Sequence, residues 1–353
     1  MRFLVLATAA FVTIGAVPAL AANKTIEQAI GGFVIPAYAA FHTGTTDMRE
    51  NMQALCADPT QQKLAAAQSG FVELVSTWSQ VEIVRFGPVT EQNRLERILF
   101  WPDRKSIGLK QVQAALAGKD ATASDPAQLS GKSVAMQGLG ALEFVLFGTG
   151  YEALKTPSDP YRCSYGLAIT QNLEDMAKAI SGAWQDPSGI ARTWANPGPD
   201  NQLYRIDDEA LTELFDVFVH GLEMLRDVRL NGFLGNTPGD DRPKQAIFWR
   251  SGATVIALGG NLDGMKKLFD ASMLASLLPS ESGWIAQSID FEFSTSDRMI
   301  SHAAVPIIEV LAGEHRGGLP AFRLITSHLS ELFGVNMAAA LGLSAGFSSL
   351  DGD

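Results

Sequence analysis

The chain has 353 residues, of which 46% are hydrophobic, and a formal net charge of −11 at pH 7. This length suggests about two domains, and the apolar fraction is ample for their cores. The acidic balance, without any cluster of lysine and arginine, argues against nucleic acid and anionic lipid as partners.

The first residues have the pattern of a secretory signal peptide. Met1-Arg2 is a short basic start, an apolar run covers 3–17, and Ala19-Leu20-Ala21 is a small-x-small cleavage site. The run is too short for a membrane span, and no cysteine follows it for lipid attachment. We therefore expect residues 1–21 to be removed on export. In a Gram-negative bacterium the mature protein would be periplasmic.

Helical periodicity dominates the rest of the chain, whereas strand signals are few and short. The segment 186–202 is rich in proline, glycine and asparagine, which predicts a boundary near 190–205. We predict an all-α fold of two four-helix-bundle-like domains packed side by side, 22–195 and 205–353, and the similar layout of the halves indicates a duplication. The predicted helices cover roughly 25–56, 60–85, 105–118, 129–148, 163–185, 207–230, 243–270, 284–312 and 320–341.

Cys56 and Cys163 are the only cysteines of the chain. In an exported protein a small, even number of cysteines favours a disulfide. Two buried free thiols are the alternative. A bond between such distant segments would contribute roughly 4 kcal/mol to stability by the loop-entropy model.

The segment 76–103 combines tryptophans, arginines and acids near a predicted helix end. Trp78, Glu82 and Arg85 have the spacing of one helical face. Gly87 and Pro88 then predict the end of that helix. The irregular segment that follows holds Arg94, Arg97, Trp101 and Asp103. These residues indicate a lined pocket, with a surface ion-pair network as an equally weighted alternative.

In the segment MQGLGALEFVLFG, 136–148, the helical neighbours of Glu143 at positions 139, 140, 146 and 147 are all apolar or glycine, which is typical of a buried helix. A buried carboxylate needs a hydrogen-bonded cation, a metal or a proton. Arg85 is the expected cation if the bundle brings the two faces together. A structural ion pair and a functional acid remain equal alternatives for Glu143.

The segment 248–269 contains Arg250 and Ser251, followed by an apolar stretch with Gly259 and Gly260. Arg250 is the expected contribution of the second domain to the site. Glycines in a helix allow close backbone approach or a kink, so a tight helix crossing is the favoured interpretation of the pair.

Two histidines have a glutamate three residues later, His220 and His328. Such pairs can offer two metal ligands, but both lie on polar stripes and are expected to be solvated. The sequence has no HExxH and no ExxH, so the signatures of zincins and ferritin-like di-iron proteins are missing.

Several short motifs in order resemble the imelysin family of exported bacterial proteins. They are LCADPT, TWSQVEIVRFGP followed by WPD, GLGALEFVLFG, YRCSY, WRSG and SLDGD, which span the chain from Cys56 to Asp353. The resemblance implies a two-domain helical fold, a site in the cleft between the bundles, an association with iron uptake, and a peptidase label. In the family motif G-x-H-x-x-E, this chain keeps Gly138 and Glu143 but has Gly140 at the histidine position.

Glycine offers neither a ligand atom nor a base, whereas a catalytic metal site needs about three protein ligands. Our hypothesis is therefore a periplasmic, non-catalytic binding protein linked to iron uptake. Its expected ligand is an iron species, an iron chelate or a peptide, and a membrane transport component is its expected partner. Iron or another divalent metal is the one cofactor considered, with Glu143 as its ligand. The predicted ligand-binding residues are Trp78, Glu82, Arg85, Trp101, Asp103, Gly138, Glu143, Arg250 and Ser251.

Two rival hypotheses belong to other classes. A metallopeptidase with an altered ligand set would require a histidine, for example from the second domain, within reach of Glu143. A structural or partner-docking module would have its cleft filled by side chains.

Overall fold

The computed structural model describes residues 19–299 and 305–343. Within these ranges every regular element is a helix, which confirms the all-α prediction. The first half contains α1 (Ala19–Ala29), α2 (Ile35–Ala57), α3 (Gln61–Val81), α4 (Arg94–Ile98), α5 (Ile107–Gly118), α6 (Pro126–Leu129), α7 (Leu139–Phe147), α8 (Pro160–Gln185) and α9 (Ile190–Ala195). The second half contains α10 (Asp207–Glu223), α11 (Asn231–Phe233), α12 (Thr254–Ser272), α13 (Trp284–Met299), α14 (Ile307–Ala312), α15 (Gly318–Glu331) and α16 (Ala338–Ala340).

Two sequence predictions fall wholly or partly outside the described residues: the signal peptide and the C-terminal SLDGD motif. Within the described part of the chain, none of the helices combines the length and the apolar character that a membrane crossing demands.

Side-chain caps fix where the long helices of the first half begin. The Thr60 hydroxyl accepts a hydrogen bond from the Lys63 amide at the start of α3, over 3.2 Å. The Asp159 carboxylate accepts one from the Arg162 amide at the start of α8, over 3.1 Å. Such caps satisfy amides that have no partner inside the helix. The first turn of α10 instead carries three acidic residues, which favour the positive end of the helix dipole.

Helix α3 connects the halves, because it packs against α2 on one side and α12 on another. A Cβ on Gly264 would lie 2.0 Å from the carbonyl oxygen of Gln80, and one on Gly260 would lie 2.8 Å from the Ser79 Cβ. Only glycine lets the two backbones approach this closely. The predicted tight crossing is thus confirmed at Gly260, and it extends to Gly264.

The start of the chain packs on the second half, because α1 contacts α9, α10 and α12. The predicted boundary segment contains α9, whose Trp194 is fully buried and donates from Nε1 to the Ala210 carbonyl over 2.9 Å. Trp194 also packs edge-on against Phe86 and Trp184. The division into domains 22–195 and 205–353 stays a prediction.

Several predicted helix bounds are wrong. The helix expected over 129–148 is the nine-residue α7, preceded by a 3-10 turn over Val134–Met136. The helix expected over 243–270 begins only at Thr254, because Phe248 and Gly252 have φ of 52° and 74°. Positive φ interrupts a right-handed helix. The helix expected over 284–312 is described over Trp284–Met299, and α14, which begins at Ile307 after the non-helical Pro306, is a separate element.

The disulfide prediction is confirmed. Cys56 and Cys163 are bonded with a Cα–Cα distance of 5.6 Å, which ties the end of α2 to the start of α8.

Candidate functional site

A cavity of about 570 Å³ opens between two parts of the chain, the segment 82–102 and the segment 213–229. It brings together three of the predicted site residues, Glu82, Arg85 and Trp101. Its polar lining is Glu82, Arg85, Glu96, Glu213, Asp216, His220 and Arg229, and its apolar lining includes Phe86, Leu99, Phe100, Trp101, Val217 and Met224. We call this cavity the cleft.

The floor of the cleft is a buried ion pair between the two halves of the sequence. Arg229 donates from Nη2 to Glu82 Oε1 and from Nη1 to Asn261 Oδ1, and the two charged side chains are 1% and 4% exposed. Asn261 in turn donates to the Ser79 carbonyl over 2.7 Å. The guanidinium carbon of Arg229 lies 5.9 Å from the centre of the Trp101 ring. A buried charge needs such partners, so this network fixes the floor.

One face of α10 forms the acidic wall of the cleft. Glu213, Asp216 and His220 are half-buried and have helical spacing, so they point to the same side. Burial raises the pKa of Glu213; the hydrogen bond from the Tyr204 hydroxyl opposes the shift, and the charge of Asp216 adds to it. Burial also raises the pKa of Asp216, and His220 opposes that shift.

Glu143 is buried, as predicted, with 5% of its surface exposed. The prediction that Arg85 is its partner is wrong. Its Oε1 atom accepts three hydrogen bonds from the second half: the Arg250 amide at 3.0 Å, the Ser251 amide at 3.0 Å and the Ser251 hydroxyl at 2.9 Å. Arg85 instead lies at the cleft, with Nη1 3.2 Å from the Met224 sulfur. Burial raises the pKa of the Glu143 carboxyl, and the hydrogen bonds from Ser251 oppose that shift most strongly.

The Arg250 guanidinium lies beside this contact, stacked on two aromatic rings. Its central carbon is 4.4 Å from the centre of the Trp249 ring and 5.4 Å from that of Phe144. The positive charge of Arg250 also opposes the rise that burial causes in the pKa of Glu143. Arg250 and Ser251 thus join Glu143, as predicted for Arg250, through a turn that crosses from the second half of the chain.

The two motif glycines have opposite surroundings. Gly138 precedes α7, and a Cβ there would lie 2.2 Å from the carbonyl oxygen of Ile98, so only glycine fits. Gly140 is exposed, and a Cβ there would have no neighbouring atom within 4 Å. Gly140 therefore faces open space, one helical turn from the buried Glu143.

Two predicted site residues serve the scaffold. Trp78 is fully buried and packs against Phe41, with ring centres 4.9 Å apart, so it does not line the cleft. The shared face predicted for Trp78 and Arg85 is wrong because α3 ends at Val81. Asp103 accepts hydrogen bonds from the amides of Ile107 and Leu109, which stabilises the start of α5.

Sequence reasoning missed the residues that α10 and its continuation contribute to the cleft. The sequence predicts His220 on a solvated stripe, yet the residue is half-buried at the cleft wall. Glu213 and Asp216 border the apolar stripe of α10, which consists of Leu211, Leu214, Phe215, Phe218 and Leu222. This position beside the stripe was the one sequence feature that could have indicated their role. Arg229 gave no signal, because it lies in a π-helical segment, Met224–Leu230, that shifts the helical register. His328 is exposed as expected and pairs with Glu292 over 3.2 Å.

Among the residues that the structure describes, no group of three or more histidine, cysteine, aspartate or glutamate side chains is arranged to hold a metal ion. The prediction that Glu143 ligates a metal therefore has no supporting ligand set in residues 19–299 and 305–343. It stays a prediction.

Comparison with known proteins decides the family. The Imelysin family model, which also has a peptidase label, matches residues 34–308. The chain belongs to the imelysin family. An imelysin-like protein from Psychrobacter arcticum has a similar structure, with a TM-score of 0.76, 19% identity, and coverage of 94% of this chain and 100% of that one. No curated protein matched this imelysin.

A second solved structure with the same fold comes from Parabacteroides distasonis and bears the name iron-regulated protein A precursor. Its TM-score is 0.74 at 14% identity, covering 92% of this chain and 96% of that one. At such low identities the two structures show the fold alone.

Proposed function

We propose that this imelysin is an exported, non-catalytic binding protein linked to iron uptake, which holds its ligand in the cleft. The observation that carries the proposal is the cleft itself, about 570 Å³ in volume and lined from both halves of the chain. Small-molecule sites have volumes of about 300–1,000 Å³ and combine apolar walls with a few placed polar groups. The expected cargo is an iron species, an iron chelate or a peptide, delivered to a membrane transport component.

The buried frame of the cleft supports a preformed site. Glu82 and Arg229 form an ion pair although they are 147 positions apart in the sequence. Asn261 of α12 accepts a second hydrogen bond from the same arginine. Moving the two walls apart would separate this buried ion pair and leave its charges uncompensated. The pair therefore holds the walls at a fixed separation. A preformed site loses less entropy on binding than one that has to be ordered by its ligand.

The surroundings of Glu143 support a scaffold role for the family motif in this chain. Its carboxylate orders the turn at Arg250 and Ser251 through three hydrogen bonds. The adjacent motif position is Gly140, which contributes no side chain. Glu143, Gly138 and Ser251 thus position the second half of the chain, while Glu82, Arg85 and Trp101 face the ligand.

The link to iron rests on family relationships. The Parabacteroides distasonis protein with this fold is named an iron-regulated protein A precursor. Export rests on the basic start, apolar run and cleavage site of residues 1–21.

Thermal unfolding of the purified protein with a ligand panel tests the proposal. The panel contains ferric citrate, ferrous and zinc salts, and short peptides of varied charge. A ligand at 100 times its dissociation constant adds roughly 2.7 kcal/mol and raises the unfolding temperature. The matched variants are Val228→Trp, which fills the cleft from a half-buried lining position, and Val335→Trp, which places the same side chain on the exposed surface.

We expect at least one panel member to raise the unfolding temperature of the wild type and of Val335→Trp, with the rise lost in Val228→Trp. A rise that survives in Val228→Trp would place the ligand elsewhere. No rise with any panel member would contradict a binding function.

A further inference from the structure

The lining of the cleft carries more negative than positive charge. Four carboxylates face two arginines, with His220 as a further titratable group. Glu82 and Arg229 neutralise each other in the floor. The remaining Glu96, Glu213 and Asp216 outnumber Arg85, which lies beside the Met224 sulfur. A ligand that enters the cleft therefore meets a negative potential.

The carboxylates of the acidic wall formed by α10 have few hydrogen-bond partners among the described residues. The hydrogen bond that Glu213 accepts from the Tyr204 hydroxyl is long, 3.3 Å. Asp216 has an electrostatic contact with His220, and the structure shows no hydrogen bond or ion pair of its carboxylate within residues 19–299 and 305–343. Both side chains are half-buried, so part of their hydration is already lost. A half-buried carboxylate gains from a cation that supplies charge-assisted hydrogen bonds.

A second, independent observation lies in the floor. Glu82 is 96% buried, yet its Oε2 atom has no hydrogen-bond partner among the described residues, and the same is true of Arg229 Nε. Such orphaned buried atoms are rare in folded proteins. No hydrogen-bond donor in the described part of the protein neutralises the partial charge of the Glu82 oxygen, so it adds to the negative potential at the base of the cleft, which favours a cationic ligand.

The size and walls of the cleft favour an organic cation over a bare ion. One water occupies about 30 Å³ of liquid, so a cavity of this volume takes a ligand of many atoms. The described residues offer no group of three metal-ligating side chains here. Phe86, Phe100 and Trp101 supply aromatic faces, which attract cations, and Arg229 already lies over one of them.

We infer that the cleft takes an organic cation. Its ammonium or guanidinium group lies between Glu213 and Asp216, and the rest of the molecule packs on the aromatic lining around Trp101. This inference rests on the proposed binding function and names the class of its ligand. Basic peptides and polyamines belong to this class. Ferric citrate, an anionic chelate, does not.

Isothermal titration calorimetry at low ionic strength tests the inference with three probes: spermidine, L-arginine methyl ester and the tripeptide Lys-Gly-Lys amide. The test variant is Glu213→Gln/Asp216→Asn. The control is Asp47→Asn/Glu50→Gln, which removes the same two charges at the same spacing from the exposed side of α2. We expect one or more probes to bind with one-to-one stoichiometry. The affinity should fall at least about tenfold in the test variant and stay within about twofold in the control, because only the test variant removes the facing charges.

Circular dichroism before titration serves as the control that both variants are folded. Equal loss of affinity in both would mean a general charge effect and would overturn the inference, as would binding that the test variant leaves unchanged. If no cationic probe binds while ferric citrate binds wild type and not Val228→Trp, the inference fails and the proposed function stands. If nothing binds, both fail.

Discussion

The three hydrogen bonds at Glu143 predict a large stability loss for Glu143→Ala. The variant removes the only acceptor that the described residues provide for the Arg250 and Ser251 amides. Each buried donor left unpaired costs about 1–3 kcal/mol. Because both donor residues are half-buried, water partly restores the lost bonds, and the low end of the range applies to each. Together with the lost packing of the side chain, we expect a free energy of unfolding lower by about 2–4 kcal/mol.

Two matched variants separate the acceptor from the charge. Glu143→Gln keeps an acceptor oxygen and removes the charge that burial disfavours, so we expect a change within about 1 kcal/mol. Ser251→Ala removes the hydroxyl and keeps both amides, with an expected loss of about 1 kcal/mol. Urea unfolding followed by circular dichroism gives all three values. A loss in Glu143→Gln as large as in Glu143→Ala would refute the reasoning, because the ion–ion attraction to Arg250 would then be the main term.

Three further predictions concern the disulfide, the helix crossing and the cleft wall. Cys56→Ala/Cys163→Ala should lower the free energy of urea unfolding by about 2–4 kcal/mol, and a loss below about 1 kcal/mol would contradict the loop-entropy estimate. Gly264→Ala should destabilise by about 1–3 kcal/mol because its Cβ has no room, whereas Gly182→Ala, with nothing within 4 Å, should gain about 0.5–1 kcal/mol in the same assay. Burial raises the pKa of Glu213, so its charged form weakens folding above the folded-state pKa, and the penalty vanishes below the ordinary carboxyl pKa of about 4.3. Glu213→Gln should therefore raise the thermal midpoint at about pH 7.5 and leave it unchanged at about pH 4; an equal gain at both would contradict the assignment.

Local periodicity was enough to predict the fold class and several helices. The apolar stripe of α10 matches the buried residues Leu211, Leu214, Phe215, Phe218 and Leu222. The uniformly apolar segment around Glu143 correctly predicted a buried helix, because no face of it could be left in water. Its length was overestimated, since the sequence gives no direct sign of the irregular backbone that precedes Gly138.

The partner of Glu143 was unpredictable for a physical reason. Backbone amides of Arg250 and Ser251 supply two of its three hydrogen bonds, and every residue except proline carries an amide. Only the turn, with Phe248 and Gly252 at positive φ, aims these amides at the carboxylate. A prediction based on charge alone therefore favoured the cation Arg85 as the partner of Glu143.

The cleft wall was missed because solvated and cleft-lining polar residues have the same sequence pattern. Glu213, Asp216 and His220 form a polar face of an amphipathic helix, and only the position of the segment 82–102 turns that face into a wall. Tertiary packing decides this, whereas helical spacing does not.

Hydrogen–deuterium exchange tests the central claim, a ligand site in the cleft, most directly. The protein is compared with and without the ligand that gives the largest thermal shift. The account predicts slower amide exchange in the segments 82–102 and 213–229, because the ligand bridges the two walls. Slower exchange confined to α7 and to the turn at 248–252 would contradict it and would move the site to Glu143.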